Sequence, residues 1–199
     1  MTETASSDVD RETQIVRSAY RVMARRGSHR LSLQDIADEA GVSKALLFYH
    51  FGTKDNLLLA AMRWALQGTS QRIRDSIDGV TDARVAIDAL IDAVFVGPQA
   101  NRDFFLFYLD LVEYLARVPT FGELSVMLHD IINGMYGEVI TAGKEQGVFA
   151  VDDVDTAARY MRSLIEGTFL QWIQTEDWER NHTEWRDGCR RALQRLLGA

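Results

Sequence analysis

Apolar residues recur along this chain with the period of an α-helix almost from end to end. Ile15, Val16, Ala19, Tyr20 and Met23 share one face and predict a first helix over 10–26, closed by Gly27. Leu33, Ile36, Ala37 and Ala40 stand at i, i+3, i+4 and i+7 and predict a short second helix. Ser32 sits at its N-cap with Asp35 three residues on, the spacing of a capping box. Gly41 follows the last periodic residue, where a left-handed residue ends a helix without a Cβ penalty. Ser43 can cap a third helix whose inward residues are Leu47 and Phe51, one turn apart. Thr53 opens a fourth, with Leu57, Ala61, Trp64, Ala65 and Gly68 inward, running to about Ile77. After a turn at 78–82, Val85, Ala89 and Val94 predict a fifth, ended by Gly97-Pro98. A sixth spans 101–118, is unusually rich in large apolar groups that predict burial almost all round outside one narrow polar stripe, and stops at Pro119. A seventh runs from about 120 to 145, with Leu124, Leu128, Ile131, Met135 and Val139 inward; an eighth spans 153–174 and a ninth 181–197. The fold class is all-α, about nine helices, with a three-helix helix-turn-helix domain first and a helical domain after it.

The third helix carries more apolar surface than its inward stripe can hide. If Leu47 and Phe51 turn inward, then Lys44, Ala45, Leu46, Phe48, Tyr49 and His50 cannot all follow. A helix in the major groove accounts for them. Small and apolar groups meet thymine methyls, and Lys44 reaches guanine edges. Tyr49, His50 and Lys54 would meet phosphates, which set register rather than sequence. The competing reading is an ordinary helical hairpin whose aromatics are covered by later helices.

Charge changes the picture in the same direction. The chain of 199 residues has a net charge of −7, which looks wrong for a partner of DNA. Residues 11–54, however, hold eight basic residues, Arg30 among them, against four acidic ones, a net of +4; the acidic excess lies elsewhere. A positive end can meet phosphate while the acidic remainder stays away from it. The polar, acidic residues 1–9 read as a flexible tail. No run of about 18 apolar residues is present, the start lacks the apolar core of a signal peptide, and the single cysteine, Cys189, suits a reducing cytoplasm. A cytoplasmic protein without membrane partners is expected.

The segment IADEAGVSKALLFYHFGTKDNL resembles the N-terminal domain of the TetR family of bacterial transcriptional regulators. The matching pieces are the IA-x-x-AGVS turn, the aromatic pair before His50-Phe51, and Thr53-Lys54 at the start of the fourth helix. The resemblance implies a helix-turn-helix domain over 10–53 and a ligand-binding and dimerisation domain over 54–199. It also implies a homodimer on a palindromic double-stranded operator, released by a small-molecule effector, with repression as the default. Carried over by position, the DNA-contacting places are Gln34, Lys44, Ala45, Leu46, Phe48, Tyr49, His50 and Lys54. The family usually has Tyr where this chain has Phe48, so one hydroxyl-to-phosphate bond is missing.

The later helices supply aromatic and Met side chains suited to adaptable apolar walls. Trp64, Phe104, Tyr108, Met127, Met135, Tyr136, Phe169 and Trp172 are the candidates for a pocket taking a small, mostly apolar ligand. Gly134 and Gly137 inside the seventh helix suggest close packing or room for that ligand. In this family the last two long helices pair with their copies in a four-helix bundle, which puts Leu164, Thr168, Trp185, Cys189, Leu193 and Leu196 at the dimer face. Nothing points to an enzyme: no G-x-S-x-G, H-E-x-x-H, C-x-x-C or phosphate-loop pattern appears. His29, His50, His129 and His182 lack zinc-ligand spacing, so no metal and no cofactor are expected. The alternatives are a helical adaptor or an enzyme without DNA-binding activity.

Overall fold

The computed structural model describes residues 2–27, 31–117 and 121–199, the first side chains from Asp10 onward. His29, Arg30, Pro119 and Thr120 lie outside the described residues. Those described are helical, in the order α1 (Thr2–Arg26), α2 (Leu33–Ala40), α3 (Lys44–Phe51), α4 (Lys54–Ile77), α5 (Ala83–Val94), α6 (Pro98–Leu115), α7 (Phe121–Leu128), a π-turn (His129–Asn133), α8 (Gly134–Glu145), α9 (Val154–Trp172) and α10 (Trp178–Leu197). Because α7, the π-turn and α8 follow without a break, they form the expected seventh helix, and the all-α class with nine continuous helices holds among the described residues.

Several local rules act as the sequence requires. Ser32 Oγ accepts the Asp35 N–H while the Asp35 carboxylate takes the Ser32 N–H, a complete capping box, and Gly41 ends α2 at φ 63°. Ser43 caps α3 through the Leu46 N–H, and Thr53 Oγ1 accepts the Asn56 N–H at the start of α4. Asp153 does the same for α9.

Other expectations need correction. The expected flexible tail over 1–9 is helical: α1 begins at Thr2 rather than Asp10. No Gly or Pro interrupts residues 2–10, so nothing there stops propagation of the helix. On α5, Val85 is exposed and Ala89 half-buried, and the buried face is Ala83, Ala86, Ile87, Leu90, Ile91 and Val94, so of the expected stripe Val94 alone lies on it. Gly68 on α4 is also exposed. Pro98 opens α6 instead of merely ending α5, since its missing N–H costs nothing at a first helical position. The apolar α6 is not buried all round: Phe105, Phe107, Leu111 and Leu115 are buried, while Phe104, Tyr108 and Val112 are only half-covered.

The chain forms two compact units. The first takes Met1–Ala65 together with Leu106–Ser125, and the second Leu66–Phe105 with Val126–Ala199. The division therefore falls inside α4 and inside α6, not at Lys54. In the first unit Ile15, Ala19, Met23, Ile36, Ala37, Leu47, Leu57, Leu58 and Met62 form the core. The second half of α6 belongs with them: Phe107 sets its ring against Tyr20 at 5.0 Å. In the second unit α9 packs on both α10 and α8, and α5 on α8 and α10.

Gly134 and Gly137 are not tight approaches, since a Cβ at Gly137 would meet Val154 at 3.7 Å, ordinary contact. The close approach is Gly143, where an added Cβ would run into the Phe149 ring. Phe149 is buried, and its N–H donates to the Gly143 carbonyl at 3.1 Å. Gly143→Ala should therefore destabilise the protein by about 1–3 kcal/mol through overpacking, despite the better helix propensity of Ala. A fall in Tm on thermal melting checks this; an unchanged or higher Tm would contradict it.

Candidate nucleic-acid interface

An eight-residue helix is far too short to hold itself in water, so α3 must be held by its surroundings. Leu47 is its buried side chain, 1% exposed. The N-terminus is fixed by the Ser43 cap and by the αL turn at Gly41, whose chain continues through Val42 N–H to the Ala37 carbonyl. The C-terminus is fixed from α4: Asn56 Nδ2 donates to the Phe51 carbonyl at 3.0 Å. On the α1 side, His50 Nδ1 lies 3.2 Å from the Glu12 carboxylate, with the imidazole almost wholly covered. Gln14 Nε2 donates to the Ala40 carbonyl at 2.7 Å and ties α1 to the end of α2.

What this scaffold leaves outward is Lys44, Ala45, Phe48 and Tyr49, with Tyr49 80% and Phe48 48% exposed. Two large aromatics standing in water on one short helix have no stabilising role in the isolated subunit. Of the other expected contacts, Gln34 is exposed and bonds Asp38 across one helical turn at 2.8 Å. Leu46 is half-buried. His50 faces Glu12 rather than the outside. Lys54 is turned in as well: its Nζ donates to the Leu31 carbonyl at 3.0 Å and sits 5.1 Å from the centre of the Tyr114 ring. Sequence reasoning missed Glu12, Gln14 and Asn56 as supports, because a polar residue that bonds a distant carbonyl carries no periodic signal.

The arginines of α1 are engaged with α2. Arg21 Nε and Arg25 Nη2 both reach Glu39, at 3.0 and 2.7 Å, and Arg26 reaches Asp35 at 2.5 Å. Hydrogen bonds from Arg21 and then Arg25 hold the Glu39 carboxyl below its ordinary range. Asp35 is held low first by the Ser32 hydroxyl and backbone, with Arg26 adding to it. Exposed pairs of this kind contribute little each, but they orient α2, and through it α3.

The expected pocket residues do not converge on one described cavity. Trp64 and Tyr108 belong to the first unit, where Trp64 lies edge-on to Tyr20 under the Arg17 guanidinium. Phe104 is half-buried in the second unit. Met127, Met135, Tyr136, Phe169 and Trp172 are buried core of that unit. Phe169 stacks on Phe95 at 4.5 Å, and the Trp172 indole N–H donates to the Trp178 carbonyl at 2.7 Å. Burial pushes the Tyr136 phenol well above its ordinary value.

The outward side of α9 and α10 forms a groove of about 710 Å³. Leu164, Thr168, Trp185 and Cys189 line it, along with the small residues Gly167 and Gly188. Cys189 forms its buried floor, and burial raises the thiol to about 11, so it is an inert packing group at neutral pH. Leu196 is half-buried. Leu193 is corrected: at 0% exposure it is core of the subunit, beyond the reach of any second copy.

Among the described residues no group of His, Cys, Asp or Glu is placed to hold a metal ion, and no helix is long and apolar enough to cross a membrane. Comparison with known proteins places this geometry. Residues 15–61 match the model of the bacterial regulatory proteins of the tetR family, and residues 83–198 match the C-terminal model of BetI-type transcriptional repressors. The repressor KstR2 of Rhodococcus jostii is 28% identical over 153 residues, covering 76% of this chain and 74% of that protein. The nicotine-responsive repressor HdnoR of Paenarthrobacter nicotinovorans is 27% identical over 169 residues, covering 84% and 86%. A putative regulator from Saccharomonospora viridis, solved in complex with choline, superposes with a TM-score of 0.75 at 27% identity, covering 96% of each chain. These relatives are transcriptional regulators. The chain belongs to the TetR family of ligand-responsive, DNA-binding transcriptional repressors.

Proposed function

We propose that this repressor binds a palindromic operator as a homodimer, reads it with α3, and leaves it when a small, mostly apolar effector binds the helical second unit. The observation that carries the reading is the outward face of α3, where Tyr49 and Phe48 stand exposed beside Lys44 on a helix tethered at both ends. Lys44 supplies the base-edge donor, Ala45 and Phe48 the thymine-methyl contacts, and Tyr49 and Gln34 the phosphate contacts. Two such helices must stand about 34 Å apart, one DNA turn, to enter successive major grooves. The groove between α9 and α10 is the face on which a second copy would hold that spacing.

The effector class follows from the aromatic content of the second unit and from the relatives. Choline sits in one neighbour and nicotine governs another. Both molecules carry a nitrogen centre that can be cationic on a small organic body, and cations of this kind are held by aromatic faces. An effector acts only through its different affinity for the two dimer geometries.

Three outcomes are expected. With a duplex enriched by the wild-type protein from a random pool, Lys44→Ala should weaken binding at least about tenfold and relax preference at the base it reads, since a good base contact is worth about 1–3 kcal/mol; Tyr49→Ala should weaken binding without changing preference. Unchanged affinity for both variants would sink the assignment of α3. Gly188→Glu should leave folding intact, because a Cβ there meets only Arg191 at 3.9 Å and Glu favours a helix over Gly. It should nevertheless give a monomer in sedimentation velocity, with lost operator binding; a Gly188→Glu dimer would move the interface elsewhere. In a thermal-shift panel headed by choline and nicotine, a compound that raises Tm should also release the duplex. A stabilising compound that leaves DNA binding untouched would count against the sensor role.

A further inference from the structure

Among the buried polar side chains described in the second unit, Ser70 is the one without a hydrogen-bond partner. Asn101 bonds Val94 and His182, and Asn133 bonds Arg162. Ser70 is 8% exposed. Its hydroxyl does not turn back onto its own helix, as those of Ser76 and Thr168 do. It lines a groove of about 410 Å³ between α4 and the π-turn, together with Gln67, Gln71 and Arg74 of α4 and Asp130 and Ile131 of the π-turn. All six residues belong to the second unit. A π-turn is a rare backbone form that recurs at functional sites. Both walls are held in place by ion pairs. Arg74 makes a two-point pair with Glu138, at 2.5 and 3.1 Å, and so ties α4 to α8, the helix that continues the π-turn. On α9, Arg162 donates to the buried Asn133 of the π-turn at 3.1 Å and is itself held by Glu166 at 3.2 Å.

We propose that this groove is a ligand site of its own, separate from the effector site, and that it takes the ammonium head of a small aliphatic amine through its N–H groups. Three observations select that chemistry. First, the polar atoms the groove keeps open are acceptors. Gln71 gives its Nε2 to Asp75 at 2.8 Å and retains Oε1. Asp130 sets Oδ1 3.2 Å from the His129 ring and retains Oδ2. The Ser70 hydroxyl can accept as well as donate. A primary ammonium has three donors and no acceptor, which matches the Asp130 carboxylate, the Ser70 hydroxyl and the Gln71 carbonyl. Second, the charge is negative. Arg74 is cancelled by Glu138, whereas Asp130 meets an imidazole. An anion is therefore disfavoured. Third, none of the six lining side chains is aromatic, so a quaternary ammonium, which has no N–H and depends on ring faces, finds nothing to hold it. Ile131 supplies apolar contact for the methylenes of the amine. Because the walls are already joined, little ordering opposes binding.

Calorimetric titration of the full chain, carried into the millimolar range, tests the site with three probes. Butylamine has the charge and the N–H groups, tetramethylammonium the charge alone, and butanol a hydrogen-bonding head without charge. Butylamine should bind, and the other two at least about tenfold more weakly, the scale of a charge-assisted hydrogen bond. Asp130→Asn should weaken butylamine binding about tenfold and Ser70→Ala about fivefold, the scale of a neutral hydrogen bond. Both variants should fold, since the Asp130 side chain is 67% exposed and Ser70 has no bond to lose. Asp152→Asn, which removes the same charge from an exposed position outside the groove, should bind butylamine as the wild type does. A wild-type protein that takes up no butylamine, equal binding of tetramethylammonium, or unchanged affinity in Asp130→Asn or Ser70→Ala would each overturn the site. A loss in Asp152→Asn as large as in Asp130→Asn would overturn it too, by showing diffuse attraction to an acidic chain. No operator DNA enters these titrations, so their outcome is independent of the reading of α3 and of the effector.

Discussion

One buried side chain, Leu47, three polar tethers and one left-handed turn decide where the outward face of α3 points. An eight-residue helix contributes almost no stability of its own. Its conformation is therefore a consequence of the Ser43 cap, the left-handed Gly41, Asn56 on the Phe51 carbonyl and Glu12 at His50. Gly41 matters here for a specific reason: at φ 63° a Cβ would be strained, and this turn sets the angle between α2 and α3. The tethers come from α1, α2 and α4, so all three helices bear on where the reading side chains stand.

Electrostatics works at two scales in the same region. The excess of basic residues over 11–54 draws phosphate toward this end of the chain. Yet the arginines most conspicuous in the sequence are committed to Glu39 and Asp35. Their positive charge is thereby partly cancelled locally, while their guanidinium groups brace α1 against α2. Among the described residues the exposed cation on α3 is Lys44, the side chain we propose meets base edges. Affinity and orientation thus draw on different residues, and a count of basic groups overstates how many can touch DNA.

The helices, their caps and the helix-turn-helix were legible because each obeys a short-range rule. Ser32 and Asp35, Gly41, Ser43, Thr53 and Asp153 all act within four residues of themselves. The misses share the opposite property. Val85 and Gly68 lie on helices whose buried stripe is set by neighbours distant in sequence, and α6 is half-covered because its two halves serve different compact units. Lys54 reads as a free cation until Leu31 and Tyr114, which are 23 and 59 or 60 positions removed in the relevant pairs, are brought to it. The π-turn at His129–Asn133, where the Gly134 N–H bonds the His129 carbonyl five residues back, leaves no mark on an apolar spacing that continues through it. Gly143 could be seen in the sequence, but Phe149 as its reason could not.

The packing of the second unit, where we propose that the effector binds, constrains how it can be received. Phe95, Phe169, Trp172 and His182 pack ring to ring at 4.5–5.9 Å, with Trp172 wholly covered and the His182 imidazole bonded to the buried Asn101. Burial lowers the His182 pKa, with Arg186 adding to it, so the ring is neutral at pH 7 and the cluster carries no charge of its own there. A molecule admitted among such side chains must displace some of them, and interiors resist that because they are packed to the density of organic crystals. Met127 and Met135, unbranched and flexible, are the side chains best able to yield. Binding is then coupled to repacking, and repacking is what lets a small ligand have different affinities for two geometries of the same chain. A pocket equally formed in both geometries would bind the same molecule and shift nothing.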